Sequence, residues 1–173
     1  MSKKIIIDNN KDIWRNQLVL AQEKYDILVP EKINFFLEDL LSRYINQPLF
    51  NDHSFTKIAL LAKYFNMSAQ EIADTADSCL FYIGLFPNRM ARYNLDPKHF
   101  VNIGQILYHH VEYHPLYDNK DMSGTFIANH YVDMVDSLLS FRESIWENEP
   151  IPKEYAYKLW LGSGSKYALK HLK

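Results

Sequence analysis

Residues 76–114 constrain the fold more than any other part of this chain. An apolar helical pattern runs into Gly84, passes through Leu-Phe-Pro, and starts again at Asp96 and Pro97, the cap and first residue typical of a helix. The second pattern contains a mid-helix glycine, Gly104, and leads into the run Tyr-His-His-Val-Glu-Tyr-His. The segment therefore predicts two helices joined by a turn, with titratable side chains concentrated at the end of the second.

The remainder of the chain has the same helical character. Apolar residues recur every three or four positions in residues 30–46, 54–65, 68–84, 123–141 and 153–161. Ser68 and Glu71 have the spacing of a capping box. The one strand candidate, residues 4–7, is too short and isolated to found a sheet. The sequence therefore predicts an all-α protein, a compact single-domain bundle of about six to eight helices.

Two breaks near the C-terminus predict the domain organisation. Glu-Pro-Ile-Pro at residues 149–152 precedes a short helix, and Gly-Ser-Gly-Ser at residues 162–165 has the composition of a flexible linker. We therefore assign residues 1–161 to a single helical domain and residues 162–173 to a hinge and basic C-terminal helix, an appendage. Because this appendage contains few apolar residues, its deletion is expected to cost little stability.

The charge of the chain is unevenly distributed, although the net value is only −2. Residues 1–15 carry +2 and residues 151–173 carry +4, so residues 16–150 carry −8. A nucleic-acid-binding protein gathers Lys and Arg on one folded face, and this pattern predicts no nucleic-acid partner. The basic ends are either solvated or in contact with an acidic surface, which is the body itself or a membrane.

Cysteine content and hydropathy predict a cytoplasmic location. A single cysteine, Cys79, excludes an intramolecular disulfide and suits a reducing compartment. The apolar residues 5–7 are too few for a secretory signal, and no run approaches the roughly 20 residues of a membrane span. No cofactor is predicted, the partner is unknown, and a homodimer is left open.

Seven side chains form the candidate ligand-binding site. His110 and His114 are four residues apart, as two ligands of one metal often are on a helix, and His130 lies on the next helix. However, the His-Glu-x-x-His order is missing and a proline follows directly, so neither a metal ligand nor a catalytic residue is assigned. The candidates are Asp77, Arg89, Arg92, Tyr108, His110, His114 and His130.

Asp77 lies at the edge of an apolar helical face, where a carboxyl group loses water and needs hydrogen-bond donors. The donors expected within reach are Arg89, Arg92, Tyr108 and His110. Three interpretations follow. Asp77 locks two helices together, or it lines a ligand site with Tyr108, or it is simply exposed.

The same region resembles a functionally uncharacterised family of bacterial all-helical proteins. The resemblance rests on Asp77, on Gly-Leu-Phe at residues 84–86, and on the helix from Phe100 to Tyr108. The chain departs from the family pattern at Ala76, His99 and Leu107. The resemblance implies an all-helical domain and brings no activity with it.

The function expected from these features is binding rather than catalysis. The leading expectation is a non-catalytic cytoplasmic interaction protein that presents an aromatic- and His-lined groove to a protein or small ligand. The alternative is a metal-dependent or small-molecule enzyme that uses His110, His114 and His130. Elemental analysis of untagged protein would separate the two.

Overall fold

The structure is a computed structural model that describes residues 11–44, 67–115, 122–145 and 149–173. These ranges contain nine helices and no strand, which confirms the predicted all-α class. The predicted helix at residues 54–65 and the candidate strand at residues 4–7 lie outside the described residues. In chain order the helices are α1 Lys11–Lys24, α2 Glu31–Tyr44, α3 Ala69–Leu85, α4 Pro87–Arg92, α5 Pro97–His109, α6 Gly124–Asn129, α7 Tyr131–Ile145, α8 Lys153–Ser163 and α9 Lys166–Leu172.

Helix α3 lies at the centre of the bundle, between α5 and α7. Helix α1 packs on α7 and α2, while α8 contacts α5 and carries α9 beside it. One apolar core connects these helices, and its fully buried members include Leu18, Phe36, Leu80, Leu138 and Leu159. No helix within the described ranges has both the length and the apolar character needed to cross a membrane.

Two helix starts follow the predicted local signals. Ser68 Oγ accepts a hydrogen bond from the Glu71 backbone N–H at 3.2 Å, and the Glu71 carboxylate accepts one from Ser68 N–H at 3.1 Å. This reciprocal pair is a capping box. Asp96 accepts from the backbone N–H of Lys98 at 3.0 Å, with Pro97 as first residue of α5. The side chains flanking each start therefore satisfy amides that the helix leaves free.

Three helix boundaries differ from the sequence-based expectation. The turn after α3 leads directly into the short helix α4, where a solvated loop was expected. Helix α5 ends at His109 rather than continuing to Pro115. The single helix expected over residues 123–141 is broken at His130 into α6 and α7. This break places Tyr131, the first residue of α7, fully inside the core.

Gly104 permits a close approach of the Tyr131 side chain to α5. A Cβ atom at this position would lie 2.1 Å from the hydroxyl oxygen and 2.4 Å from Cζ of Tyr131. A mid-helix glycine costs about 1 kcal/mol relative to alanine, so the close approach explains why it is retained. The start of α7 supplies this close contact.

Gly104→Ala is expected to lower the free energy of unfolding by about 1–3 kcal/mol despite the better helix propensity of alanine. The Tyr131 ring is fully buried and cannot move away from the added methyl group. Urea unfolding measures the change, with Asn102→Ala, at an exposed position of the same helix, as the control. Equal stability of the two variants would show that the ring does yield.

The Gly-Ser segment at residues 162–165 forms helix termini. Ser163 is the last residue of α8, and Gly164 ends that helix with φ +74°, a left-handed conformation that favours glycine. Ser165 then caps α9, with its Oγ accepting from the Ala168 N–H at 3.0 Å. Within α9, Tyr167 and Ala168 are 1% and 0% exposed. The prediction that residues 162–173 form a separable appendage stays a hypothesis. Because of these contacts, however, we expect their deletion to destabilise the fold, whereas the sequence predicted little loss of stability.

Candidate functional site

Asp77 on α3 is the centre of a buried polar cluster. The Tyr108 hydroxyl, on α5, donates to Asp77 Oδ1 at 2.5 Å. His114 Nε2 lies 3.1 Å from Oδ1 and 3.2 Å from Oδ2, and donates to them when this nitrogen carries the proton. The three residues are 0–1% exposed. The carboxyl group thus joins α3 to α5 and to the segment that follows α5.

His114 reaches Asp77 because α5 stops one turn before it. Residues 111–115 then run beside residues 122–124, with His114 N–H donating to Met122 O and Gly124 N–H donating to Glu112 O, both at 3.1 Å. A Cβ on Gly124 would lie 2.0 Å from the carbonyl oxygens of Tyr108 and Val111, so α6 begins directly against the end of α5. This pairing turns His114 inward, which a continuous helix would not do.

Aromatic rings enclose the Asp77–Tyr108–His114 cluster. The Phe36 ring meets the His114 ring edge-on at a centroid distance of 5.0 Å, and Tyr131 lies 5.9 Å from Tyr108. A general acid or base must lie within hydrogen-bond distance of its substrate, or be connected to it by one water molecule. The three side chains are 0–1% exposed, and their hydrogen bonds connect α3 to α5 and to the segment that follows α5.

The groups next to this cluster are held in their neutral forms. Burial, followed by the negative charge of Asp77, raises the pKa of the Cys79 thiol far above its ordinary value. Because the thiolate is the reactive form, Cys79 is an inert core residue. Burial likewise raises the pKa of Tyr131, whose hydroxyl has no hydrogen-bond partner within the described ranges.

The other predicted site residues do not join Asp77 in one cluster. His110 is exposed, with Nδ1 2.8 Å from the Ile106 carbonyl of its own helix. His130 is partly exposed between α6 and α7, with Nδ1 3.8 Å from Asp133 Oδ2. Arg89 and Arg92 lie on α4, and Arg92 is exposed.

The histidines predicted as a metal cluster are not arranged as one. Across the described residues, no group of three His, Cys, Asp or Glu side chains is placed to hold a metal ion. His114 is engaged with Asp77, while His110 faces the end of its own helix. The helical spacing of four residues does not bring the two rings together because α5 ends at His109.

An open groove of about 480 Å³ lies on the surface between α5 and the end of α6. This volume falls within the roughly 300–1,000 Å³ range of small-molecule sites. Amide and imidazole groups surround the half-exposed Ile106 side chain, and the floor includes buried Ala128. The lining residues are Asn102, Gln105, Ile106, His109, Ala128 and Asn129. Sequence reasoning missed this groove, since nothing local indicated that α6 lies alongside.

Asp136 on α7 forms a second buried polar cluster that sequence reasoning missed. Its carboxylate accepts hydrogen bonds from Ser165 Oγ and, at 2.9 Å, from the Lys166 N–H at the start of α9. Burial is the main cause that raises the pKa of Asp136 to about 6, and the charge of Asp133 adds to it. The hydrogen bonds from Ser165 and from the backbone N–H groups of Lys166 and Tyr167 act in the opposite direction. Asp136 therefore anchors the C-terminal helix.

The raised pKa of Asp136 predicts a pH dependence of stability. The Asp136 carboxyl group has a pKa near 3.8 in the unfolded chain and about 6 in the folded one. Its protonated form therefore stabilises the fold fully below pH 3.8, and this contribution is lost as the pH rises through 6. From pH 4 to pH 7 the wild type should lose about 2 kcal/mol relative to Asp136→Asn, which does not titrate. Urea unfolding across this range measures the difference. Parallel curves for the two proteins would contradict the shift, and Glu23→Gln, at an exposed carboxyl group on α1, serves as the control.

Comparisons of the chain with protein-family models, with curated proteins and with solved structures found no match. The resemblance of residues 76–108 to an uncharacterised bacterial family therefore stays a hypothesis. The function has to be argued from the geometry of the two buried clusters and of the groove.

Proposed function

We propose that this chain is a non-catalytic binding protein of the cytoplasm whose ligand, a small molecule or a segment of another protein, occupies the groove between α5 and α6. The observation that carries the proposal is the lining of this groove. Three amide side chains and an imidazole surround the half-exposed side chain of Ile106. Ligand sites commonly combine an apolar contact with a few convergent polar groups.

The chemistry of the lining indicates the class of ligand. Asn102, Gln105 and Asn129 each present both a donor and an acceptor and carry no charge. A neutral molecule with amide or hydroxyl groups and one apolar substituent matches this set. The backbone of a polypeptide also offers amide donors and acceptors. The lining of the groove therefore suits a protein segment as well as a small neutral ligand.

The buried Asp77 cluster supports binding over catalysis. Asp77, Tyr108 and His114 hold one another and are 0–1% exposed. The enzyme alternative needs His110, His114 and His130 close together. Because the three histidines have different surroundings, their geometry does not support that alternative.

The test is a nuclear magnetic resonance screen of isotope-labelled protein with small neutral fragments that carry amide or hydroxyl groups. The proposal expects amide shift changes concentrated at the groove and reduced by Ile106→Asp. Leu20→Asp, at an exposed leucine on α1, is the matched control and should leave the changes intact. Shift changes that map away from α5 and α6, or that survive Ile106→Asp, would contradict the groove assignment.

A further inference from the structure

A titratable side chain lies at each end of the C-terminal helix α9. At the first end, the buried Asp136 carboxyl group of α7 bonds to Ser165 Oγ and to the Lys166 N–H. Within the described residues, no cationic side chain lies within ion-pair distance of this carboxyl group. A hydroxyl group can donate or accept, so the Asp136–Ser165 bond survives protonation of Asp136, and protonation also removes a buried charge. The protonated acid therefore suits this contact best.

At the other end, the His171 ring connects α9 to α7 and α1. Its Nδ1 lies 2.9 Å from the Tyr167 carbonyl oxygen, and its Nε2 lies 3.5 Å from Glu143 Oε1. Both neighbours are acceptors, so only the imidazolium form presents an N–H to each of them. The ring also stacks on Tyr167 at a centroid distance of 4.2 Å and on Tyr25 at 5.7 Å, and aromatic faces attract a cation. This contact likewise suits the protonated form best.

The remaining polar groups around α9 do not change charge in the neutral pH range. The Glu143 carboxylate also accepts from the Tyr25 hydroxyl, whose pKa is raised by burial, and lies 3.7 Å from the Lys24 ammonium group. Lys166 and Lys170 reach the backbone carbonyls of residues 26 and 24. Helix α8 packs along α9, but in the described part of the chain it brings no charged side chain within ion-pair distance of α9. Histidine is the one side chain that ordinarily titrates between pH 5 and 8.

We propose that α9 is a pH-sensitive latch, closed on the body while Asp136 and His171 carry their protons and opening at Gly164 as they lose them. Gly164 has φ +74° and no atom within 4 Å of its Cβ position, so the backbone can change conformation there without a clash. Both contacts weaken in the same direction. Burial, with a smaller effect from the charge of Asp133, raises the pKa of Asp136 to about 6. Its contribution is complete below pH 3.8 and is lost as the pH rises through 6.

The test is hydrogen–deuterium exchange of the full chain, followed by mass spectrometry at pH 5 and at pH 8. Protection is expressed relative to the exchange rate of an unstructured chain at the same pH, which removes the pH dependence of the exchange reaction itself. The proposal expects the protection of α9 to fall by about tenfold or more between pH 5 and pH 8. It also expects α9 to be less protected than the central helix α3 at pH 8, because core helices exchange only through global unfolding.

Matched variants test which side chains cause the pH dependence. Asp136→Asn and His171→Gln should each reduce it, and the double variant should remove it, since neither new side chain titrates. The control is Glu23→Gln with His99→Gln, which replaces an exposed carboxyl group and an exposed imidazole elsewhere and should leave the pH dependence intact.

Three results would overturn the latch. Protection of α9 equal to that of α3 at both pH values would show that α9 opens only when the whole fold unfolds. Protection of α9 that does not fall between pH 5 and pH 8, or that falls equally in the double variant, would exclude Asp136 and His171 as its cause. Because α9 lies outside the α5–α6 groove, these outcomes do not depend on the proposed function.

Discussion

Replacing Asp77 by alanine is expected to lower the free energy of unfolding by about 3–5 kcal/mol. The substitution removes the acceptor for the Tyr108 hydroxyl and the partner of the His114 ring, and both groups stay buried. Each of these buried groups loses a hydrogen bond that water cannot replace, and the missing carboxyl group also leaves a void. Chemical unfolding followed by circular dichroism measures this loss.

Asp74→Ala is the matched control for the Asp77 substitution. Asp74 lies one turn earlier on α3 and contacts Arg43 at 3.3 Å, but its side chain is 44% exposed. An exposed ion pair contributes about 1 kcal/mol or less. Asp77→Asn keeps the shape of the side chain but removes the carboxylate, so it measures the contribution of the charge separately. If Asp77→Ala costs no more than Asp74→Ala, or Asp77→Asn changes stability by less than about 0.5 kcal/mol, the interpretation of Asp77 as a lock is wrong.

The parts of this site that sequence reasoning predicted depend on local signals. Ser68 and Glu71 define the start of α3, and the helical pattern then places Asp77 at the edge of an apolar face. Tyr108 was among its expected donors because α3 and α5 follow each other through a short connection. Helical periodicity and capping are properties of neighbouring residues, so one sequence suffices to predict them.

The parts that were missed depend on contacts between distant segments. His114 was assigned to the edge of a helix, whereas the pairing of residues 111–115 with residues 122–124 turns it towards Asp77. The groove beside His109 likewise requires α6 to lie against α5. Asp136 had the same signal as Asp77, a carboxylate within an apolar stripe, but its partner Ser165 is 29 residues away. Such partners follow from packing and cannot be read from periodicity.

The C-terminal segment shows how composition misleads when a turn is built from linker residues. Gly-Ser-Gly-Ser predicts a flexible hinge, yet Gly164 supplies the left-handed conformation that ends α8 and Ser165 supplies the cap that begins α9. Glycine and serine favour helix termini for the same reasons that they favour linkers. Tyr167, two residues after Ser165, is buried, and this burial distinguishes helix termini from a flexible linker here.

Tyr167→Ala is expected to lower the free energy of unfolding by about 3–5 kcal/mol. The ring is 1% exposed, lies 4.7 Å from the Tyr25 ring and stacks on His171 at 4.2 Å. Tyr25 donates from its hydroxyl to Glu143, and His171 Nε2 lies 3.5 Å from the same carboxylate. Removing the Tyr167 ring therefore opens a cavity in a cluster that joins α9 to α1 and α7.

Tyr157→Ala, which removes the same ring from the exposed face of α8, is the control and should cost less than about 1 kcal/mol. Deletion of residues 163–173 should destabilise the fold at least as much as Tyr167→Ala, since it also removes the donors on Ser165 and Lys166 that the buried carboxylate of Asp136 accepts from. Thermal unfolding with size-exclusion chromatography separates the possible results. A truncated protein of unchanged stability would restore the hypothesis of an appendage, and dissociation of a dimer would show instead that α9 is exchanged between subunits.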